Sequence, residues 1–136
     1  MGRLNEEVEL EPGVIRRYRR HENGRGFVSL KASAAPTAHI SEGTYVEADA
    51  RIGEHAWIGN GSWIDAGARL GARVVIGSNV HVGQGAKIGD GVRIGSNVRI
   101  GREVMVESRA SIDSDKVIAD EVRITASARD RLDRAA

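Results

Sequence analysis

From Ile40 onward every sixth residue is a branched aliphatic, through Val46, Ile52, Ile58, Ile64, Leu70 and so on to Ile124, fifteen positions without a break. Neither an α-helix, with its 3.6-residue period, nor an alternating strand produces a period of six. The neighbouring columns keep the same beat. Two residues before each anchor stands a small side chain (Ala38, Thr44, Ala50, Ser62, Val98), with Lys116 the exception. The residue after the anchor is glycine at 53, 59, 71, 77, 83, 89, 95 and 101. Three after it come residue types that tolerate positive φ, such as Gly43, Asp49, Asn79 and Asp115. The pattern predicts a short strand with two inward side chains, followed by a tight corner. Three such units close a triangular coil of eighteen residues. Five coils at the inter-strand spacing of about 4.8 Å make a prism roughly 24 Å long.

Runs such as Ile76-Gly-Ser-Asn-Val-His and Ile94-Gly-Ser-Asn-Val-Arg resemble the hexapeptide-repeat family, over about two thirds of the chain. The resemblance implies a left-handed parallel β-helix, an exception to the usual right-handed crossover. The expected fold class is thus all-β, a left-handed parallel β-helix of about five triangular coils. It spans residues 38–127, after an irregular N-terminal cap and lead-in coil in 1–37 and before a short C-terminal tail in 128–136.

The ends depart from the repeat. Val28 falls in register and Ala34 holds it weakly, which predicts one irregular coil before Ile40. Upstream, Val8 to Ile15 reads as a strand and turn covering the first coil, and His21 to Val28 as a glycine-rich lead-in. The basic run Arg16–Arg20 suits either phosphate contact or an exposed cap segment. Nearby acids cancel its charge, which favours the cap. Ser127 is a plausible helix cap for the tail. Lys116 occupies an inward position, where a buried unpaired ammonium is costly. The last coil is expected to loosen there and release it to solvent, a catalytic lysine being the alternative.

Composition narrows the function classes. With 136 residues the chain suits one domain, and aromatic content of 4% is low for a conventional core. A net charge of +1 argues against a dedicated nucleic-acid binder. The absence of cysteine excludes disulfides and thiolate metal sites. No apolar run has the length of a membrane span, so a cytoplasmic protein with no membrane partner is expected.

Stacking by eighteen gives each face one outward column. Face one shows His39, Trp57, Val75, Arg93 and Ser111; face two shows Tyr45, Trp63, His81, Arg99 and Val117. Face three is mainly basic, with Arg51, Arg69, Lys87, Met105 and Arg123. Outward Trp and Tyr favour interfaces, so Tyr45, Trp57, Trp63 and Arg99 are candidate binding or interface residues. The resemblance also implies a trimer. A homotrimer packed through faces one and two, with a small-molecule ligand at the subunit interface, is the expected assembly.

Many proteins of the resembled family are acyltransferases that take acetyl-CoA or another acyl donor and use an interface histidine as general base. The candidates for that role are His81 and His39, the alternative for each being a hydrogen bond across a subunit contact. Such enzymes commonly carry a loop projecting from the coils and a longer C-terminal segment, whereas here the fifteen hexads admit no insertion and about ten residues follow Ser127. A zinc site of the γ-class carbonic anhydrase type is also disfavoured, since His39, His55 and His81 lack the close pairing it needs, and no metal is expected. The reading that follows is a trimeric β-helix acting as a scaffold or binding module. The alternative is a minimal CoA-dependent acyltransferase with His81 or His39 as base.

Overall fold

The computed structural model describes residues 5–11 and 14–126, with side chains from Arg17 onward. Every regular element among them is a β-strand. The chain opens with β1 (Asn5–Glu11), β2 (Val14–Arg20), β3 (Phe27–Ser29), β4 (Ser33–Ala34), β5 (His39–Ile40) and β6 (Tyr45–Val46). From there to Ile124 each strand holds only an outward residue and its anchor. The strands fall into three sheets, one per face, of eight, six and five strands. From β3 onward, neighbours in a sheet are parallel and eighteen residues apart, as in Arg69 with Lys87 and Val75 with Arg93. This is the left-handed parallel β-helix expected from the sequence.

The anchors and the small residues two places earlier fill the prism as one continuous core. Ile40, Ile58, Ile64 and Ile76 are wholly buried, alongside Ala38, Ala56, Val74 and Val80. No aromatic ring lies in that cluster, which accounts for the low aromatic content. Two polar residues in the small column are satisfied by neighbouring backbone. The Thr44 hydroxyl donates to the carbonyl of Gly59 at 2.7 Å, and that of Ser62 to the carbonyl of Gly77 at 3.2 Å.

Corners are stitched coil to coil. Backbone N–H groups of Ser78, Ser96 and Asp90 donate to the hydroxyls of Ser96, Ser114 and Ser108 at 3.0–3.1 Å. Where the backbones come closest only glycine fits: a Cβ on Gly59 would lie 2.6 Å from the carbonyl carbon of Gly77. The third residue after each anchor has positive φ at every corner from Gly43 to Glu121. His55, Arg73, Glu103, Arg109 and Glu121 do so as well as the expected Gly, Asn and Asp, with φ between 56° and 70°. The conformation costs roughly 1 kcal/mol or more for such residues. It is held because the corner N–H must reach the preceding coil: Arg73 donates to the carbonyl of Glu54 and Arg109 to that of Asp90, both at 2.8 Å.

At the N-terminal end β3 and β4 pair in parallel with β6 and with Arg51–Ile52, so the lead-in coil stacks in the same sheets. The hairpin of β1 and β2 adds antiparallel to the N-terminal end of the face-two sheet, through β2 and β3. In the basic run, Tyr18 turns inward and is 1% exposed, while the Arg20 guanidinium lies over the Phe27 ring at 4.0 Å. Lys116 is exposed, as expected, but the backbone does not loosen around it. Its carbonyl still accepts the N–H of Arg99 at 3.0 Å, and Val117 and Ile118 stay in register with Arg99 and Ile100. The tail from Ser127 onward lies outside the described residues.

The two residues of one strand therefore carry unequal weight. Ile76→Ala in the middle coil is expected to lower stability by about 2–5 kcal/mol. Val75→Ala beside it, on the outer surface, is expected to change it by about 0.5 kcal/mol or less. Denaturant midpoints of the two variants check this difference.

Candidate functional site

The two histidines proposed from the sequence sit in different surroundings. On face one, His39 stacks on Trp57 with ring centroids 3.8 Å apart and planes within 7°. Both of its ring nitrogens are engaged. Nδ1 is 3.2 Å from Oδ1 of Asn23 in the lead-in turn, and Nε2 is 3.1 Å from the Ser41 hydroxyl. His39 thereby fastens the lead-in turn to the first regular coil. His39 therefore differs from His81 in having both ring nitrogens hydrogen-bonded within the chain.

On face two, Tyr45, Trp63, His81 and Arg99 occupy successive rungs of one column, as the period of eighteen requires. Tyr45 belongs to the hairpin end of it: its ring stacks on Phe27 at 4.7 Å and meets Tyr18 edge-on at 5.2 Å. Trp63 and His81 stack at 4.5 Å with planes 8° apart. Nε2 of His81 lies 3.4 Å from Oδ2 of Asp65, a long contact between side chains that are 29% and 27% exposed. Nδ1 makes no hydrogen bond to a described residue. The imidazole is therefore fixed on one face by an indole and at one nitrogen by a carboxylate, with the other nitrogen open.

Beside His81 an open groove of about 570 Å³ follows the edge between faces two and three. Asp65, His81 and Arg99 form its polar side, and Gly83, Ile100 and Ile118 contribute to its apolar floor. Arg102 and Asp120 at its far end pair with each other at 3.2 Å. A second hollow of about 550 Å³, lined by Arg17, Leu30, Lys31 and Glu47, lies at the hairpin end and does not include His81.

Two residues that the sequence reading did not single out hold this column in place. Asp65 is one. The other is Glu47, a carboxylate only 5% exposed, which accepts the Tyr18 hydroxyl at 2.8 Å and the Trp63 indole N–H at 2.9 Å. Both stand directly after an anchor, where most coils have glycine, and so does Ser41, the partner of His39. The sequence signal was there. In this fold a polar side chain in place of that glycine lies beside the outward column and can hold a ring in it.

Burial makes Glu47 an essential acceptor. Glu47→Ala is expected to lower stability by about 1–3 kcal/mol, because the buried Tyr18 hydroxyl and the half-exposed Trp63 indole each lose a hydrogen bond to it. It is also expected to shift the Trp63 indole N–H resonance while leaving that of Trp57 in place. Proton NMR of the two indoles, together with a denaturant titration, checks both outcomes.

Comparison with known proteins follows the coils. The model for bacterial transferase hexapeptide (six repeats) matches residues 55–89 and, overlapping them, 67–102. Curated proteins give no match. Among solved structures, the acetyltransferase domain of PglB from Neisseria gonorrhoeae FA1090 is 22% identical with a TM-score of 0.73, over 74% of this chain and 49% of that one. The same domain in complex with acetyl coenzyme A gives 22% and 0.69, over 72% and 50%. PerB from Caulobacter crescentus, in complex with CoA and GDP-perosamine, gives 21% and 0.49, over 71% and 50%. The chain spans about half the length of these structures, and at such identity the likeness to PglB is one of fold.

Proposed function

We propose that this hexapeptide-repeat protein is a minimal acyltransferase, in which His81 acts as general base toward an acceptor hydroxyl or amine. The observation that carries the reading is the His81–Asp65 pair at the edge of an open groove. With Nε2 turned to the carboxylate, Nδ1 is the nitrogen left to take the acceptor proton. Asp65 holds the ring and stabilises the imidazolium that forms, and Trp63 keeps water from one face of it. Arg99, on the next rung, supplies a cation for an anionic part of the ligand. An acyl-CoA would supply the activated carbonyl. The groove suits one, because an apolar floor accepts the thioester arm and Arg99 accepts a phosphate. The acetyltransferase neighbours support this choice over a purely structural role.

The second reading is a trimeric scaffold or binding module without catalysis. It is favoured by a specific feature, namely that no loop interrupts the coils among the described residues. Both readings share a homotrimer packed through faces one and two. Trp57 and Trp63, 51% and 44% exposed, and Val75, 43% exposed, support that assembly. Large apolar side chains grouped on adjacent faces are the mark of an interface. A second copy would also wall the groove, which is open in one chain, and make it a small-molecule site between subunits.

Calorimetry with acetyl-CoA separates the two readings. The acyltransferase reading expects saturable binding and acyl transfer to a small amine, falling by a factor on the order of 10²–10⁴ in His81→Ala with an unchanged melting temperature. His39→Ala is expected to retain transfer. Absence of acetyl-CoA binding would leave the scaffold. Sedimentation equilibrium tests the assembly separately: the expected mass is three times the 14.6 kDa of the chain, and a monomer mass would sink the trimer.

A further inference from the structure

Face three carries a file of cations that the site on face two does not use. Arg51, Arg69 and Lys87 are register partners on successive rungs, and after Met105 the file resumes at Arg123. All four cations are exposed, and none forms an ion pair with a described residue. Like charges opposite one another on paired strands are unfavourable. Acids stand two residues before Arg51 and Arg123, at Asp49 and Glu121. The two middle rungs have none there: Arg69 and Lys87 lie between corner glycines, at 67, 71, 85 and 89. The nearest acid beyond them, Asp90, is turned to the backbone, its Oδ1 accepting the N–H of Ala72 at 2.8 Å.

Alongside this file runs a shallow groove of about 450 Å³, lined by all four cations, by Gly71 and Gly89, and by one acid, Glu107, whose Oε1 accepts the N–H of Ala126 at 3.3 Å. Across the same edge of the prism, Arg73, Arg93 and Arg109 line another hollow of about 590 Å³. Along this edge the two hollows together hold seven cations and two acids, Asp90 and Glu107, in a chain whose net charge is only +1.

We propose that face three binds a linear inorganic polyphosphate chain, laid along the helix axis with phosphates beside the cations. A single file of charges on four of five rungs, each about 4.8 Å from the next, suits a single-stranded polyanion rather than a broad surface. The chemistry of the groove selects among such polymers. Proteins that hold single-stranded nucleic acid add aromatic rings on which bases stack. No aromatic residue lines this groove, and the outward rings of the coils stand on the other two faces. A phosphate chain without bases asks only for the cations. This inference is independent of the acyltransferase reading, since it uses a different face.

The test is fluorescence anisotropy of labelled polyphosphate long enough to span the coils. The expected result is saturable binding that weakens roughly 50-fold between 50 and 200 mM salt, the loss for about four phosphate contacts. Arg69→Glu/Lys87→Glu is expected to weaken binding about ten-fold or more, whereas Lys116→Glu, exposed between faces one and two, is expected to leave it unchanged. Both positions are exposed, and melting temperatures verify that the variants fold. Should the double reversal unfold the protein, Arg69→Gln/Lys87→Gln provides the same comparison with a smaller expected loss. Absence of binding to the wild-type protein, or an equal loss in Lys116→Glu, overturns the proposal. Tighter binding of a single-stranded oligonucleotide of the same length would overturn the choice of occupant.

Discussion

Along each face a strand N–H donates to a carbonyl in the coil that follows, as Trp57 does to Val74 and Gly59 does to Ile76. The corners add a bond to the preceding coil, as Arg73 does to Glu54. A polar backbone group buried without a partner is costly, so these bonds have to be made on every rung, and making them fixes the coil at eighteen residues. The rest of the structure follows from that length. Anchors fall above anchors, the interior is a few small and branched side chains wide, and rings are left outside. Even the unfavourable φ of Arg73 and Glu103 is tolerated, because a corner that relaxed would break the ladder on both sides.

The candidate site is a by-product of the same constraint. Outward side chains recur at the rung spacing, which is close to the distance at which flat rings stack, so Trp63 and His81 meet without a dedicated scaffold. The coil does not supply their orientation. It comes from the carboxylates at 47 and 65, which occupy positions where the close approach of successive coils usually demands glycine. Stability and chemistry compete for those positions: each polar residue there gives up the tightest packing of the coil and gains a fixed ring on the surface.

Much of this was legible in the sequence, because a strict period transmits three-dimensional neighbourhood directly. The columns Tyr45–Trp63–His81–Arg99 and His39–Trp57 could be written down by counting, and the structure has them in those registers. What counting could not supply was the difference between the two histidines. His39 is consumed by Asn23, which reaches it from the irregular lead-in turn, where no period operates. The antiparallel entry of the hairpin onto face two, and with it the burial of Tyr18, lay beyond the repeat for the same reason. For Lys116 the expected exposure is observed, while the expected loosening of the backbone is not, since its carbonyl keeps its place in the ladder.

The eighteen-residue register also has a genealogical consequence. Duplication or loss of one whole coil leaves every column intact and merely lengthens or shortens the prism, whereas deletion of a single residue turns every later side chain away from its column. Copying errors in units of a coil are therefore the ones such a gene survives. A cluster confined to two adjacent rungs, like Trp63, Asp65 and His81, can travel unchanged through lineages whose helices differ in length. Likeness among these proteins is then better sought coil by coil than end to end.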